Sequence, residues 1–264
     1  MQKVISKDGT PIAFDKAGQG LALILVDGAL CGRSFGPMPK LAPILAQHFT
    51  VYWYDRRGRG DSGDTTPYTV DREIEDLEAL IQEAGGTAFV FGVSSGAALA
   101  LEAANRLPNI KKLALYEAPF IVDDSREPLM EDYVTRLKAL VAADRRGDAI
   151  KMFMKAVGVP SFFIFIMRFM PVWSKILPVA HTLPYDFAIV NPHQHGKPLS
   201  RKRWTSVLVP TLVADGSKSP VWMRNAMQAL ASVLPNAQRR TLEGQTHNVS
   251  LKVLAPVLCE FFGA

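Results

Sequence analysis

The stretch Ala88-Phe89-Val90-Phe91-Gly92-Val93-Ser94-Ser95-Gly96-Ala97-Ala98-Leu99-Ala100-Leu101 decides how this chain folds. Its four leading apolar residues read as a buried strand, and the Ala- and Leu-rich run after Gly96 reads as a helix. Between them stands G-x-S-x-G, with Ser94 at the point where strand turns sharply into helix. Such a turn strains the serine's backbone, and side chains two residues to either side would collide, so glycine is needed at 92 and 96. The following helix aims its free N–H groups and its dipole at any oxyanion formed beside Ser94. The five-residue pattern also arises by chance, as a tight turn with an idle serine. The strand before it and the helix after it give it meaning.

Outward from this turn, residues 11–15, 21–26 and 51–54 read as strands, the last two almost continuously apolar as buried parallel strands are. Residues 37–48 read as a helix. Residues 70–84 carry Val70, Ile74, Leu77 and Ile81 with acids between and Gly85-Gly86 as a stop, the pattern of an amphipathic helix on a sheet. Strand 87–91, helix 95–107 and strand 112–116 continue the alternation, which calls for a doubly wound, mostly parallel α/β sheet. From 121 to 204 the alternation stops. Several helices broken by Pro128, Pro160, Pro171, Pro178 and Pro184 are expected there as a cap, inserted into a core of residues 1–120 and 205–264. Residues 207–214, 220–234, 238–242 and 249–262 resume the strand and helix alternation.

With 264 residues, 48 % hydrophobic and 21 % charged, the chain suits one globular body with an insertion. The net charge is +5 and the isoelectric point about 9.2, but the basic residues are scattered. Short clusters at Arg56, Arg57, Arg59 and at Arg201, Lys202, Arg203 read as solvated surface rather than a nucleic-acid stripe. Cys31 and Cys259 suggest neither a disulfide framework nor a metal site, which fits a cytoplasmic protein. Residues 1–10 lack the apolar core of a signal peptide. The apolar run 162–167 is far short of the roughly 20 residues that span a bilayer, so no integral membrane span is expected. A homodimer stays open.

His247 alone of the five histidines falls in a loop between the last strand and the last helix. His48, His181, His193 and His195 read as structural or surface residues. A serine hydroxyl needs a base to take its proton, and histidine does this best near neutral pH.

Taken together, these segments resemble the α/β-hydrolase family over nearly the whole chain. Asp55-Arg56-Arg57-Gly58-Arg59-Gly60-Asp61-Ser62 is similar to its D-x-R-G-x-G-x-S turn, Gly244-Gln245-Thr246-His247 to its histidine loop, and Leu25-Val26-Asp27-Gly28 to half of its oxyanion hole. The resemblance implies an eight-stranded, mostly parallel sheet flanked by helices with a helical cap. It implies Ser94 as nucleophile, His247 as base, and the amides of Ala29 and Ser95 as oxyanion donors.

Two departures stand out. The family's acid usually follows the seventh strand, where this chain reads Gly216-Ser217-Lys218-Ser219. A serine cannot stabilise the imidazolium that proton transfer creates. Some family members, haloalkane dehalogenases and related luciferases among them, draw the acid from the end of the sixth strand, where Glu117 stands here. Glu117 is therefore assigned as the orienter of His247, with Asp215 as the alternative. Asp27 replaces the family's common histidine and is expected to be held structurally by hydrogen bonds.

The cap segment is rich in methionine and aromatic residues. Phe153, Phe162 and Trp173, with Asp27, Leu30, Cys31 and Phe120, are expected to line an apolar substrate pocket. The function this implies is cofactor-independent hydrolysis of a small hydrophobic carboxylic ester through an acyl-enzyme on Ser94. A perhydrolase of haloperoxidase type, a lyase or cyclase on the same site, and a non-catalytic ligand-binding protein remain alternatives.

Overall fold

Side chains alternate across a strand, and here the alternation sorts the apolar residues into two layers. In strand β3 (Ala22–Val26), Ile24 and Val26 join one buried cluster while Leu23 and Leu25 join the other. In β5 (Ala88–Val93), Ala88 and Val90 divide in the same way from Phe89, Phe91 and Val93. A strand buried on both faces belongs in the middle of a parallel sheet, which is where both lie.

The computed structural model describes residues 1–263. Among them, β1 (Gln2–Ile5), β2 (Pro11–Ala17), β3, β4 (Thr50–Tyr54), β5, β6 (Ile110–Tyr116), β7 (Thr211–Gly216) and β8 (Ala237–Leu242) form one sheet. Its order is β1-β2-β4-β3-β5-β6-β7-β8, with the β1–β2 and β2–β4 pairs antiparallel and the remaining pairs parallel. The expected eight-stranded α/β-hydrolase sheet is present. Strand β1 escapes a sequence reading because it is a four-residue edge strand that buries little. β7 starts at Thr211 rather than 207, beyond Pro210, which lacks the N–H a central strand would donate.

Helices α1 (Met38–Leu45) and α10 (Leu251–Gly263) cover one face, and α2 (Val70–Glu83), α3 (Ser95–Ala104) and α9 (Val221–Val233) the other. Between β6 and β7 lie α4 (Tyr133–Ala142), α5 (Arg146–Ala156), α6 (Ser161–Met167), α7 (Pro171–Ile176) and α8 (Leu183–Val190). Their prolines open helices rather than break them: Pro160 precedes α6, and Pro171 and Pro184 sit in first turns, where an absent N–H costs nothing. Among the described residues, no helix is long and apolar enough to cross a membrane.

Arg56, Arg57 and Arg59 do not form the solvated surface expected of them. Each is about 1 % exposed. Arg56 donates to both Glu73 oxygens at 2.6 and 2.7 Å and to Asp186 at 2.7 Å. Arg57 grips Asp76 at 2.8 and 2.6 Å, and Arg59 grips Asp186 at 2.9 and 2.8 Å. The planar guanidinium fork suits such two-point contacts, and full pairing is what permits the burial. The overlooked signal is the pair Glu73 and Asp76, which faces the protein on the buried side of α2. By contrast, Arg201 and Lys202 are exposed, as the sequence suggested.

This network ties α8 to the loop after β4. Replacing Asp186 with Ala leaves two buried guanidinium groups short of charge, and the expected loss in unfolding free energy is about 3–5 kcal/mol by denaturant titration. Glu260→Gln, which breaks an exposed pair with Arg240, is expected to cost less than about 1 kcal/mol in the same titration.

Candidate active site

Ser94 caps α3 with φ +58° and ψ −130°, a left-handed conformation that a non-glycine residue adopts only when its surroundings hold it there. A Cβ at Gly92 would lie 2.4 Å from the Gly96 carbonyl oxygen, and one at Gly96 would lie 2.3 Å from that of Val26. Both glycines are thus required by close approach. The Ser94 amide donates to the Tyr116 carbonyl at 2.9 Å, pinning the turn to β6.

Glu117 follows β6 and also has positive φ, +48°. The turn carries its carboxylate across β7: Oε1 accepts from the Gly216 amide at 2.8 Å, and Oε2 contacts His247 Nδ1 at 2.8 Å. Glu117 is fully buried, while the His247 side chain keeps 38 % of its exposure. The histidine loop is held from below, since the Tyr116 hydroxyl donates to the Thr246 carbonyl at 2.7 Å and the Lys218 amide to that of Gln245 at 2.8 Å. Asp215, the alternative acid, is turned elsewhere and accepts from Arg239 Nε at 2.8 Å.

Ser94 and His247 line one cavity of about 550 Å³, together with Ala29 and Ser95. Ser95 opens α3, in the turn whose amides have no partner within the helix. Of the expected pocket residues, only Phe153 lies on this wall, where Leu129, Phe187, Val190 and Met223 supply further apolar surface. The others are placed differently. Phe120 is buried and stacked on Trp204, and Leu30 is in the core. Trp173 rests against the core beneath Arg168. Phe162 is 68 % exposed, because a seven-residue helix that is apolar all round can bury only one face, and in α6 that face belongs to Ile164. Asp27 is buried and Cys31 half-buried, and neither lies on this wall.

The sequence did not reveal what holds that segment. Arg59 donates to the Gly28 carbonyl at 2.6 Å, and the Ser95 hydroxyl donates to Asp186 at 2.7 Å. The buried network therefore braces both proposed donors. The charges of Arg59 and Arg56 hold the Asp186 carboxyl below the usual range against the opposing effect of burial. Burial, with Asp27 beside it, raises the Cys31 thiol, which stays protonated. Among the described residues no cluster of His, Cys, Asp or Glu has a metal-binding arrangement.

The family model of the alpha/beta hydrolases matches residues 23–255. A crystal structure of an alpha/beta hydrolase from Sphaerobacter thermophilus superposes with TM-score 0.91 at 53 % identity, covering 99 % of this chain and 100 % of that one. The esterase EaEST from Exiguobacterium antarcticum superposes with TM-score 0.75 at 20 % identity, covering 100 % and 99 %, and so speaks to the fold. A pimeloyl-[acyl-carrier protein] methyl ester esterase of Xanthomonas oryzae pv. oryzae is 33 % identical over 153 residues, which is 52 % of this chain and 58 % of that relative's length.

Burial pushes the Asp27 carboxyl up from 3.8 to about 7, while the Gly28 amide and the Arg59 charge pull partly back. The folded state thus keeps the proton that the unfolded chain releases, so stability is fullest below pH 4 and falls until about pH 7. Asp27→Asn removes this titration. Its unfolding free energy relative to the parent protein is expected to rise by roughly 4 kcal/mol between pH 4 and pH 8, in denaturant melts across that range. A pH-independent difference contradicts this.

Proposed function

This chain belongs to the alpha/beta hydrolase family, and from that premise we propose that it is a serine hydrolase acting on carboxylic esters with an apolar body. One observation carries the reading: Ser94 and His247 share a cavity while the Glu117 carboxylate holds the far nitrogen of the imidazole.

In the proposed cycle, Ser94 Oγ attacks the ester carbonyl as His247 Nε2 takes its proton. Glu117 fixes the tautomer with the proton on Nδ1 and stabilises the imidazolium. The amides of Ala29 and Ser95 receive the oxyanion, and the alcohol leaves with the proton from His247. Water, activated by the same imidazole, then releases the acid. Helices α4–α8 act as a cap: Phe153 on α5 and Phe187 and Val190 on α8 supply apolar wall opposite the strand ends. The Xanthomonas methyl ester esterase supports the ester class, and the carrier-protein substrate belongs to that relative's own name.

A fluorophosphonate probe should label Ser94, as read by peptide mass spectrometry, and Ser94→Ala should abolish both the label and the hydrolysis of p-nitrophenyl esters. A folded protein with neither label nor turnover overturns the proposal.

The acid is tested separately. Glu117→Gln is expected to lower kcat by about 10³–10⁴, by analogy with amide replacement of a triad acid, and Asp215→Asn by less than about tenfold. The reverse ranking reassigns the acid.

A further inference from the structure

Among the described residues, the cavity of Ser94 contains a cation that no carboxylate pairs with. Arg126, in the loop after β6, lines this cavity, as does Trp222, and its guanidinium lies 4.2 Å from the Trp222 ring centroid. Of its five N–H donors, one group is engaged by the Ala156 carbonyl at the end of α5. Among the described residues no carboxylate lies within 4.0 Å of it, in contrast to Arg56, Arg57 and Arg59. Among the described residues the only acid on the cavity wall, Asp186, is already held by Arg56 and Arg59. Glu117 is taken up by Gly216 and His247. Lys155, in the last turn of α5, adds a second positive charge to the same wall.

A half-buried guanidinium stacked on one face, with donors left over and no carboxylate within ion-pair distance among the described residues, is an incomplete interaction. Burial lowers its pKa, the opposite of the shift in Arg56 and Arg57, whose carboxylate partners outweigh burial. An incoming anion would restore both the charge balance and the two-point hydrogen bonding that the fork favours. The apolar side chains of Leu129, Phe153 and Met223 share the wall with the nucleophile and this cation, which suits a ligand apolar in its body and anionic at one end.

We propose that Arg126, assisted by Lys155, is an anion subsite of the Ser94 cavity, so that the substrate is an ester whose apolar chain ends in a carboxylate or phosphate away from the scissile bond. This rests on the hydrolase reading of Ser94 and narrows its substrate class.

The test compares methyl hexanoate, which is neutral, with monomethyl adipate and methyl 6-phosphonooxyhexanoate, which carry the two anions on the same chain. Wild-type kcat/KM is expected to favour at least one anionic ester by about tenfold or more, and the better of the two identifies the anion. Arg126→Gln should erase that preference as a ratio of anionic to neutral turnover, Arg126→Lys should restore part of it, and added salt should weaken it. A general packing defect would lower both turnovers together and leave the ratio intact. Independently of turnover, calorimetry should show adipate or inorganic phosphate binding to Ser94→Ala and binding about tenfold more weakly once Arg126→Gln is added. Ser94-dependent hydrolysis with no anionic preference overturns the subsite and leaves the hydrolase reading standing. If no ester is hydrolysed and Ser94 takes no label, the hydrolase reading falls, and the absence of either anion's binding in calorimetry then overturns the subsite as well.

Discussion

At the carboxyl ends of two neighbouring parallel strands, Ser94 and Glu117 both adopt left-handed backbone, φ +58° and +48°. Conformations of this kind cost an L-residue about 1–3 kcal/mol each and persist only where the surroundings enforce them. Here the enforcement is mutual. The Ser94 amide is bonded to the Tyr116 carbonyl, the residue just before Glu117, and the Glu117 amide is bonded to Ala214 on the next strand. The turns at β5 and β6 are thereby locked in register, and the hydroxyl and the carboxylate come to one edge of the sheet. The histidine loop completes the set because Gly216 allows it to approach: a Cβ there would lie 2.4 Å from the Gln245 carbonyl oxygen.

Beneath this edge lies a second constraint of a different kind. The buried arginines after β4 do little by way of ordinary hydrophobic packing, and the desolvation of so many charges is expensive unless every one is paired. What they supply is position. Arg59 grips the backbone of Gly28, Asp186 receives the hydroxyl of Ser95, and Arg56 joins both to α2 through Glu73. The loop after β3, the first turn of α3 and helix α8 are thus fixed relative to one another. The same acid that anchors α8 also stands on the cavity wall, so a helix remote in sequence is tied to the neighbourhood of Ser94.

Much of the sheet was legible because its central strands are apolar on both faces and the helices between them are periodic. The turn at Ser94 was legible because two glycines and their flanking elements announced it. The placement of Glu117 was legible only through a gap, the serine at 219 where an acid was expected, together with a carboxylate one strand over. The arginine network was misread because charge in sequence does not disclose burial. The placement of Asp8, Glu73, Asp76 and Asp186 against the guanidinium groups in three dimensions neutralises it. Phe162 was expected in the pocket, yet it faces outward with Phe163, Phe165 and Phe169, which hydrophobicity without periodicity does not disclose. Arg126, which among the described residues has no carboxylate within 4.0 Å, carries no sequence signature at all.

In the structure the carboxylate of Glu117, and not that of Asp215, holds the His247 imidazole. Proton NMR observes this bond directly, because a histidine N–H shared with a carboxylate resonates far downfield of the amide envelope. Such a resonance is expected in the wild-type protein and in Asp215→Asn, and its loss in Glu117→Gln. A downfield proton that survives in Glu117→Gln and vanishes in Asp215→Asn would contradict it.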